Sequence, residues 1–255
     1  VLWERWFPDI PNFEIIDNKI QKGYEKLEEG DILKTVEYWG EAWDNILYII
    51  KKEKIKSLSA FDSLFRGTQS FFNWSQDYNF ELHNAGQSDK KYFEKCITYN
   101  ETLLSVFNDL GGLYKENARR AIAETYCEIG NMEKSNSLFN QWLIEDPQWG
   151  WGWIGWSDCY HIINKREKNY KEAEKILLDG LNVEGVRERE DVLERLADIY
   201  RETENKEKLK DIEKQRHDYI KNKRNIYFSP AALRAGQKSE SFKTCTTQTS
   251  PMQQI

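Results

Sequence analysis

The sequence predicts an all-α protein whose helices pair into hairpins that stack along the chain. Apolar residues recur three and four positions apart through most of it, as in Val36, Trp39, Trp43, Ile46 and Ile50, and this period marks one face of a helix. Five prolines and 14 glycines are too few for a turn-rich all-β protein of 255 residues, and ten tryptophans, 13 tyrosines and 12 phenylalanines are too many for a disordered chain.

In the first half, the apolar pattern predicts four helices, over about 15–27, 32–52, 59–85 and 88–107. Gly30-Asp31 separates the first two, which form a predicted αα-hairpin. We expect Asn84-Ala85-Gly86 to end the third helix and Ser88 to cap the fourth. The first half therefore consists of helical hairpins of a loose kind.

The second half contains an internal repeat. A small residue precedes a tyrosine by three positions at Ala123–Tyr126, Ser157–Tyr160 and Ala197–Tyr200, and the tyrosines are 34 and 40 residues apart. The first unit adds a turn at Gly130, an aromatic at Phe139 and a closing Pro147. This is the tetratricopeptide pattern, whose period is about 34 residues. Since such hairpins cannot bury their faces alone, we expect a right-handed superhelix, an α-solenoid.

Three regions follow from these patterns. We expect N-terminal helical hairpins over 1–115, tetratricopeptide-like repeats over 116–228 and a polar basic tail over 229–255. Residues 221–255 carry six basic residues and one acid, whereas the other 220 residues have a net charge of −11. The tail lacks the large apolar residues that a core needs.

Three stretches are distinctive, namely Asn73-Trp74-x-x-Asp77, 121–130 and above all the tryptophan-glycine stretch of 145–158. With them, the chain over about 12–205 resembles a group of bacterial tetratricopeptide-repeat-like proteins that often end in a zinc motif of the SecA-tail type. Family members with the zinc motif have several closely spaced cysteines, but this tail has only Cys245. The resemblance thus implies the repeat scaffold and its usual role in protein binding, without zinc.

The first helices of such repeats line a concave surface, where we place the candidate binding residues. They are Asn117, Arg120, Glu124, Trp151, Asp158, His161, Glu194, Asp198 and Arg201. One equivalent position reads Glu124, Asp158 and Asp198, an acidic row that would favour a basic peptide. The alternative is that surface helices carry many carboxylates without a binding role.

Four tryptophans lie within eight residues, at 149, 151, 153 and 156. The repeat pattern places Trp153 and Trp156 in the core, Trp149 in the turn between repeats and Trp151 near a helix start. An aromatic cage or stacking platform is the alternative for this cluster. Of the four, Trp151 is the candidate for contact with a partner.

No catalytic, metal or cofactor motif is recognisable in the sequence. The four cysteines are widely spaced, and the carboxylates of Asp77 and Glu81 near His83 have no second element to complete a metal or acid-base site. Phosphate-binding and nucleophile signatures are also absent from the sequence. We expect a protein without enzymatic activity, cofactor or metal.

The acidic body disfavours nucleic acid as the principal ligand, because nucleic-acid affinity rests on clustered lysine and arginine. No apolar run reaches membrane-span length and no signal pattern precedes 15, so we expect a cytoplasmic protein. Its predicted role is to bind a protein or peptide, with a basic segment favoured. A peptide sensor whose tail or partner acts on another target is the alternative, and an enzyme of unrecognised type is a third.

Overall fold

The computed structural model describes residues 6, 10–164 and 167–227. The helices of the first half are α1 (Phe13–Glu28), α2 (Ile32–Glu53), α3 (Leu58–Leu64), α4 (Phe71–Ser88) and α5 (Lys91–Val106). Those of the second half are α6 (Gly112–Glu128), α7 (Met132–Glu145), α8 (Gly150–Asp158), α9 (Tyr170–Leu181), α10 (Arg189–Glu202) and α11 (Lys206–Tyr227), and a π-helical turn, Cys159–Ile163, continues α8. No strand occurs in these described ranges.

Short polar residues and glycines divide the chain into hairpins. The side chains of Asn12, Asp31 and Asn131 each accept a hydrogen bond from a backbone N–H in the first turn of the following helix, which satisfies a donor that the helix itself leaves free. Gly30 and Gly130 have φ of 78° and 85° in the turns α1–α2 and α6–α7. Only glycine adopts this backbone region without strain.

The helices pack as five successive hairpins, α1/α2, α4/α5, α6/α7, α8/α9 and α10/α11, with the short α3 inserted between the first two. Each second helix also contacts the first helix of the next hairpin, and α8 contacts both α6 and α10. The predicted all-α fold of stacked hairpins is therefore confirmed. The surface formed by α4, α6, α8 and α10 is called the first-helix surface below.

The repeat positions lie where the hairpins approach one another. Ala123, Ser157 and Ala197 are completely buried, so at these positions helices pack without an intervening large side chain. The tyrosines that follow them differ, because Tyr200 is buried whereas Tyr126 and Tyr160 are half-buried.

The predicted boundary between 115 and 116 falls inside α6, and the predicted tail, 229–255, lies outside the described residues. The proposed division of the chain into regions remains a prediction.

Local predictions in the first half need two corrections. The predicted helix over 59–85 is two helices, because Ser70 caps a new helix that starts at Phe71. That helix continues past Asn84-Ala85-Gly86 to Ser88, and Ser88 therefore does not cap α5. Instead, the Asp89 carboxylate accepts a hydrogen bond from the backbone N–H of Lys91 at 3.1 Å.

Aromatic side chains fill the space between the first two hairpins. Trp39 is fully buried, and its indole N–H donates to the carbonyl of Ile20 on α1 at 2.9 Å. The indole lies directly against Gly23, where a Cβ atom would overlap the ring. Tyr24 and Tyr78 pack edge-on against the same indole at centroid distances of 4.9 and 6.2 Å.

None of the helices in the described part of the chain is both long and apolar enough to cross a bilayer.

The contact between Gly23 and Trp39 leads to a stability prediction. We expect Gly23→Ala to lower the free energy of unfolding by about 2 kcal/mol, because the added methyl group forces the buried indole to move. Gly112→Ala is the matched control, since a Cβ at the first residue of α6 lies 3.9 Å from its nearest neighbour, a Glu116 oxygen. Urea unfolding of both variants measures the difference, and equal stabilities would contradict the packing described here.

Candidate functional site

The structure places the nine predicted binding residues on α6, on α8 with its π-helical turn, and on α10. Seven of them are at least partly accessible, namely Asn117, Arg120, Glu124, Trp151, Glu194, Asp198 and Arg201. Asp158 and His161 are only 6% and 1% exposed. The close packing of α8 between α6 and α10 encloses these two side chains, and the nine residues as a binding surface remain a prediction.

Arginines neutralise the predicted acidic row. Arg120 Nε lies 2.6 Å from Glu124 Oε1, and Arg201 Nη1 lies 2.6 Å from Asp198 Oδ1. Arg195, which the sequence analysis did not single out, places its Nε 3.1 Å from Asp158 Oδ1. The three carboxylates therefore do not form an unpaired negative wall. Arg195 was recognisable only as a residue one helical turn before Asp198 on the same face.

The buried pair Asp158 and His161 has an unusual electrostatic setting. Burial raises the pKa of Asp158 to about 7, although the nearby Arg195 and Arg120 guanidinium groups oppose the rise. Burial also lowers the pKa of His161, whose Nε2 lies 4.0 Å from Asp158 Oδ1. Burial thus disfavours the charged form of both groups, and we assign this cluster a structural role.

A groove opens between α4 and α6 at the other end of this surface. It contains two adjoining cavities of about 360 and 240 Å³. Both are lined by Asn79 and Phe80 of α4 and by Arg120, Ala121 and Glu124 of α6. We call this feature the α4–α6 groove.

Amide side chains and one exposed aromatic ring define the chemistry of the α4–α6 groove. Asn117 donates from Nδ2 to Gln76 Oε1 at 2.7 Å, and Asn79 Oδ1 accepts from the buried Asn100 at 2.6 Å. These bonds fix the orientation of the amide groups. Phe80 is 61% exposed at the wall of the groove. Such a surface offers hydrogen bonds to a peptide backbone and an apolar contact to one side chain.

The α4 residues of the groove were missed because the repeat pattern starts only at 117. Asn79, Phe80 and His83 follow Gln76 by three, four and seven positions, so this helix face of α4, polar except for Phe80, was the signal that could have found them.

The carboxylates near His83, which are candidates for an acid-base or metal site, have other partners. Asp77 accepts a hydrogen bond from Tyr24 at 2.6 Å, Glu81 accepts one from Asn84 and His83 lies 3.3 Å from Glu128. No group of three or more metal-ligating side chains occurs in the described part of the molecule.

The tryptophan cluster packs differently from the prediction. Trp149, expected in the turn between repeats, is 1% exposed, whereas Trp153 and Trp156, expected in the core, are half-buried. Their indole N–H groups donate to the carbonyl of Pro147 and to the Asn136 amide at 2.9 and 2.8 Å.

Trp151 stacks with its ring 5.3 Å from the Arg120 guanidinium, beside the α4–α6 groove residues. This indole remains partly accessible.

Comparison with known proteins gives a likeness in structure and none in sequence. No family model matches this chain. No curated protein matches it at a significant level either. Among solved structures, a tetratricopeptide repeat protein from Parabacteroides merdae aligns over 92% of this chain and 82% of its own, with 17% sequence identity and a TM-score of 0.42. A likeness of that degree says nothing about what this chain binds.

The raised pKa of Asp158 predicts a pH dependence of stability. A carboxyl of ordinary pKa 3.8 that titrates at about 7 in the fold keeps a proton that the unfolded chain releases. Its stabilising contribution is full below the ordinary pKa and is lost as the pH rises through 7. His161 acts in the opposite direction, because its lowered pKa costs stability as the pH falls.

We therefore expect Asp158→Asn to remove the loss of stability that Asp158 causes as the pH rises. The variant keeps the contribution of His161 to the pH dependence. Relative to the variant, the wild-type protein should lose about 2 kcal/mol of unfolding free energy between pH 5 and 8. Urea unfolding across this range measures the slope, with the exposed Asp218→Asn as control. If wild type and Asp158→Asn have parallel pH profiles, the interpretation of Asp158 is wrong.

Proposed function

We propose that this protein is a non-catalytic binding protein that holds an extended peptide segment of a partner against the first-helix surface. The α4–α6 groove carries the proposal, because it combines oriented amide groups with an exposed aromatic ring. Asn79 lies on α4 and Asn117 on the neighbouring α6. The Phe80 ring lines the same groove and is exposed to solvent. Peptide recognition commonly combines main-chain hydrogen bonds with a pocket for an apolar side chain.

The charge pairing on this surface bears on the kind of peptide. Since Glu124, Asp158 and Asp198 each have an arginine partner, net attraction for a strongly basic segment is weak. We infer a polar segment with one apolar side chain that contacts Phe80. Trp151 and Arg120 extend the same contact surface toward α8.

The role as a scaffold agrees with the resemblance to the bacterial repeat proteins, which remains a prediction at the level of that group. A peptide sensor is the alternative function. It depends on the predicted tail, 229–255, which lies outside the described residues.

Selection from a displayed random-peptide library tests the proposal. We expect enriched peptides to share one apolar position and to bind Phe80→Ala and Asn117→Ala about tenfold more weakly than wild type, because interface anchors of this kind contribute more than 1 kcal/mol. Tyr48→Ala is the matched control, since Tyr48 is an exposed aromatic on α2, away from the groove.

Affinities by fluorescence anisotropy give the comparison. A library that yields no binding peptides, or peptides whose affinity is insensitive to Phe80 and Asn117, would overturn the proposed function.

A further inference from the structure

A second groove lies away from the first-helix surface, between α2 and α5. Its volume is about 530 Å³, within the range of pockets that bind small molecules. Gly40, Trp43, Asp44 and Leu47 of α2 form one wall. The opposite wall is formed by α5 from Lys91 to Thr102, and Tyr78 of α4 forms the floor.

The groove exists because α2 and α5 do not close over α4. The helix α4 packs against both of them, while the connection from α2 to α4 runs through α3 instead of a tight turn. At the floor, a Cβ atom on Gly40 would lie 3.2 Å from the hydroxyl oxygen of Tyr78. The absence of a side chain at this position keeps the Tyr78 hydroxyl accessible from the groove.

The Tyr78 hydroxyl is a polar group without a protein partner. Tyr78 is only 4% exposed, and its ring is held by Trp74, Tyr99 and Trp39 at centroid distances of 5.6, 4.8 and 6.2 Å. No residue in the described ranges forms a hydrogen bond with its Oη. Burial raises the pKa of Tyr78 well above its usual value. Buried tyrosine hydroxyls normally have a hydrogen-bond partner, so this one is available to a ligand.

Two carboxylates line the same groove as the hydroxyl. Asp44 on α2 and Glu94 on α5 line opposite walls, and neither forms an ion pair with any residue that the structure describes. Two lysines line the same groove. Lys91 lies 2.7 Å from the Asp89 carboxylate, and Lys95 sits over the Tyr92 ring at 5.3 Å, so the two carboxylates outnumber the one lysine that has no carboxylate partner of its own.

The chemistry of these groups selects a class of ligand. Trp43 and Tyr99 are packed edge to face at 4.9 Å and supply aromatic surface to the groove, and aromatic faces attract cations. The hydroxyl oxygen of Tyr78 accepts a hydrogen bond from an ammonium group, and the free carboxylates balance its charge. An anion would meet two unpaired carboxylates instead.

We propose that the α2–α5 groove binds a small organic cation, a primary amine on an apolar stem, independently of the peptide surface. The amine lies between Asp44, Glu94 and the Tyr78 hydroxyl, and the stem packs along Trp43 and Leu47. This site is separate from the α4–α6 groove, so the two proposals fail or succeed independently.

Isothermal titration calorimetry with three probes of similar shape tests the site. Phenethylamine carries the positive charge, 2-phenylethanol is neutral and phenylacetate is anionic. We expect phenethylamine to bind about tenfold tighter than 2-phenylethanol, because hydrogen bonds and ion pairs with charged groups are the stronger ones, and we expect no binding of phenylacetate. Absence of phenethylamine binding, or equal affinity for the alcohol, overturns the proposal.

Variants locate the binding within the groove. Asp44→Asn should weaken phenethylamine binding about tenfold and Tyr78→Phe about threefold, as expected for loss of a charged and of a neutral partner. Gly40→Leu should abolish it by filling the floor. Glu101→Gln is the control, since Glu101 is exposed on α5 outside the groove.

Asp44 lies at the surface, so Asp44→Asn keeps the test valid if either floor variant is unstable by circular dichroism. Unchanged affinity in Asp44→Asn contradicts the site.

Discussion

Close contact between successive hairpins is the constraint on which the structure depends. A hairpin of two amphipathic helices leaves an apolar face exposed until the next hairpin covers it. Around α8 the helices pack closely, because Ala123, Ser157 and Ala197 are small and completely buried. At Gly155, a Cβ atom would lie 2.9 Å from the Glu124 carboxylate and 3.2 Å from the Phe139 ring.

The loop before α10 ties neighbouring hairpins together with polar contacts. Arg187 lies 2.8 Å from Glu116 at the start of α6 and 2.9 Å from Asp146 at the end of α7. Its backbone N–H also donates to the carbonyl of Gln148 at 2.8 Å. Arg187 thus connects the segment before α10 with α6, with the end of α7 and with the segment before α8. These contacts hold the two segments side by side. The same close approach places Asp158 and His161 inside the protein, whereas the α4–α6 groove is open on the first-helix surface.

Sequence patterns predicted the order of helices and their pairing, because a period of three to four residues reports which side of a helix is apolar. They also identified the small residues at 123, 157 and 197, whose role depends only on size. The patterns did not report how deeply a side chain is buried or which side chain it contacts. Trp149 is buried because Gly152 leaves room for its ring, and Asp158 meets Arg195 of the next repeat. The contact between Asp158 and Arg195 depends on how neighbouring helices pack, which no local spacing encodes.

Site-specific photocrosslinking in native lysate reports whether the first-helix surface holds a peptide segment. Benzoylphenylalanine would replace Phe80 in the α4–α6 groove or, as control, Tyr48 on α2, both of which are exposed aromatic residues. We predict discrete crosslinked peptides from position 80 that unlabelled wild-type protein competes away, and none from position 48. No competed product from position 80, or the same products from both positions, would contradict the claim.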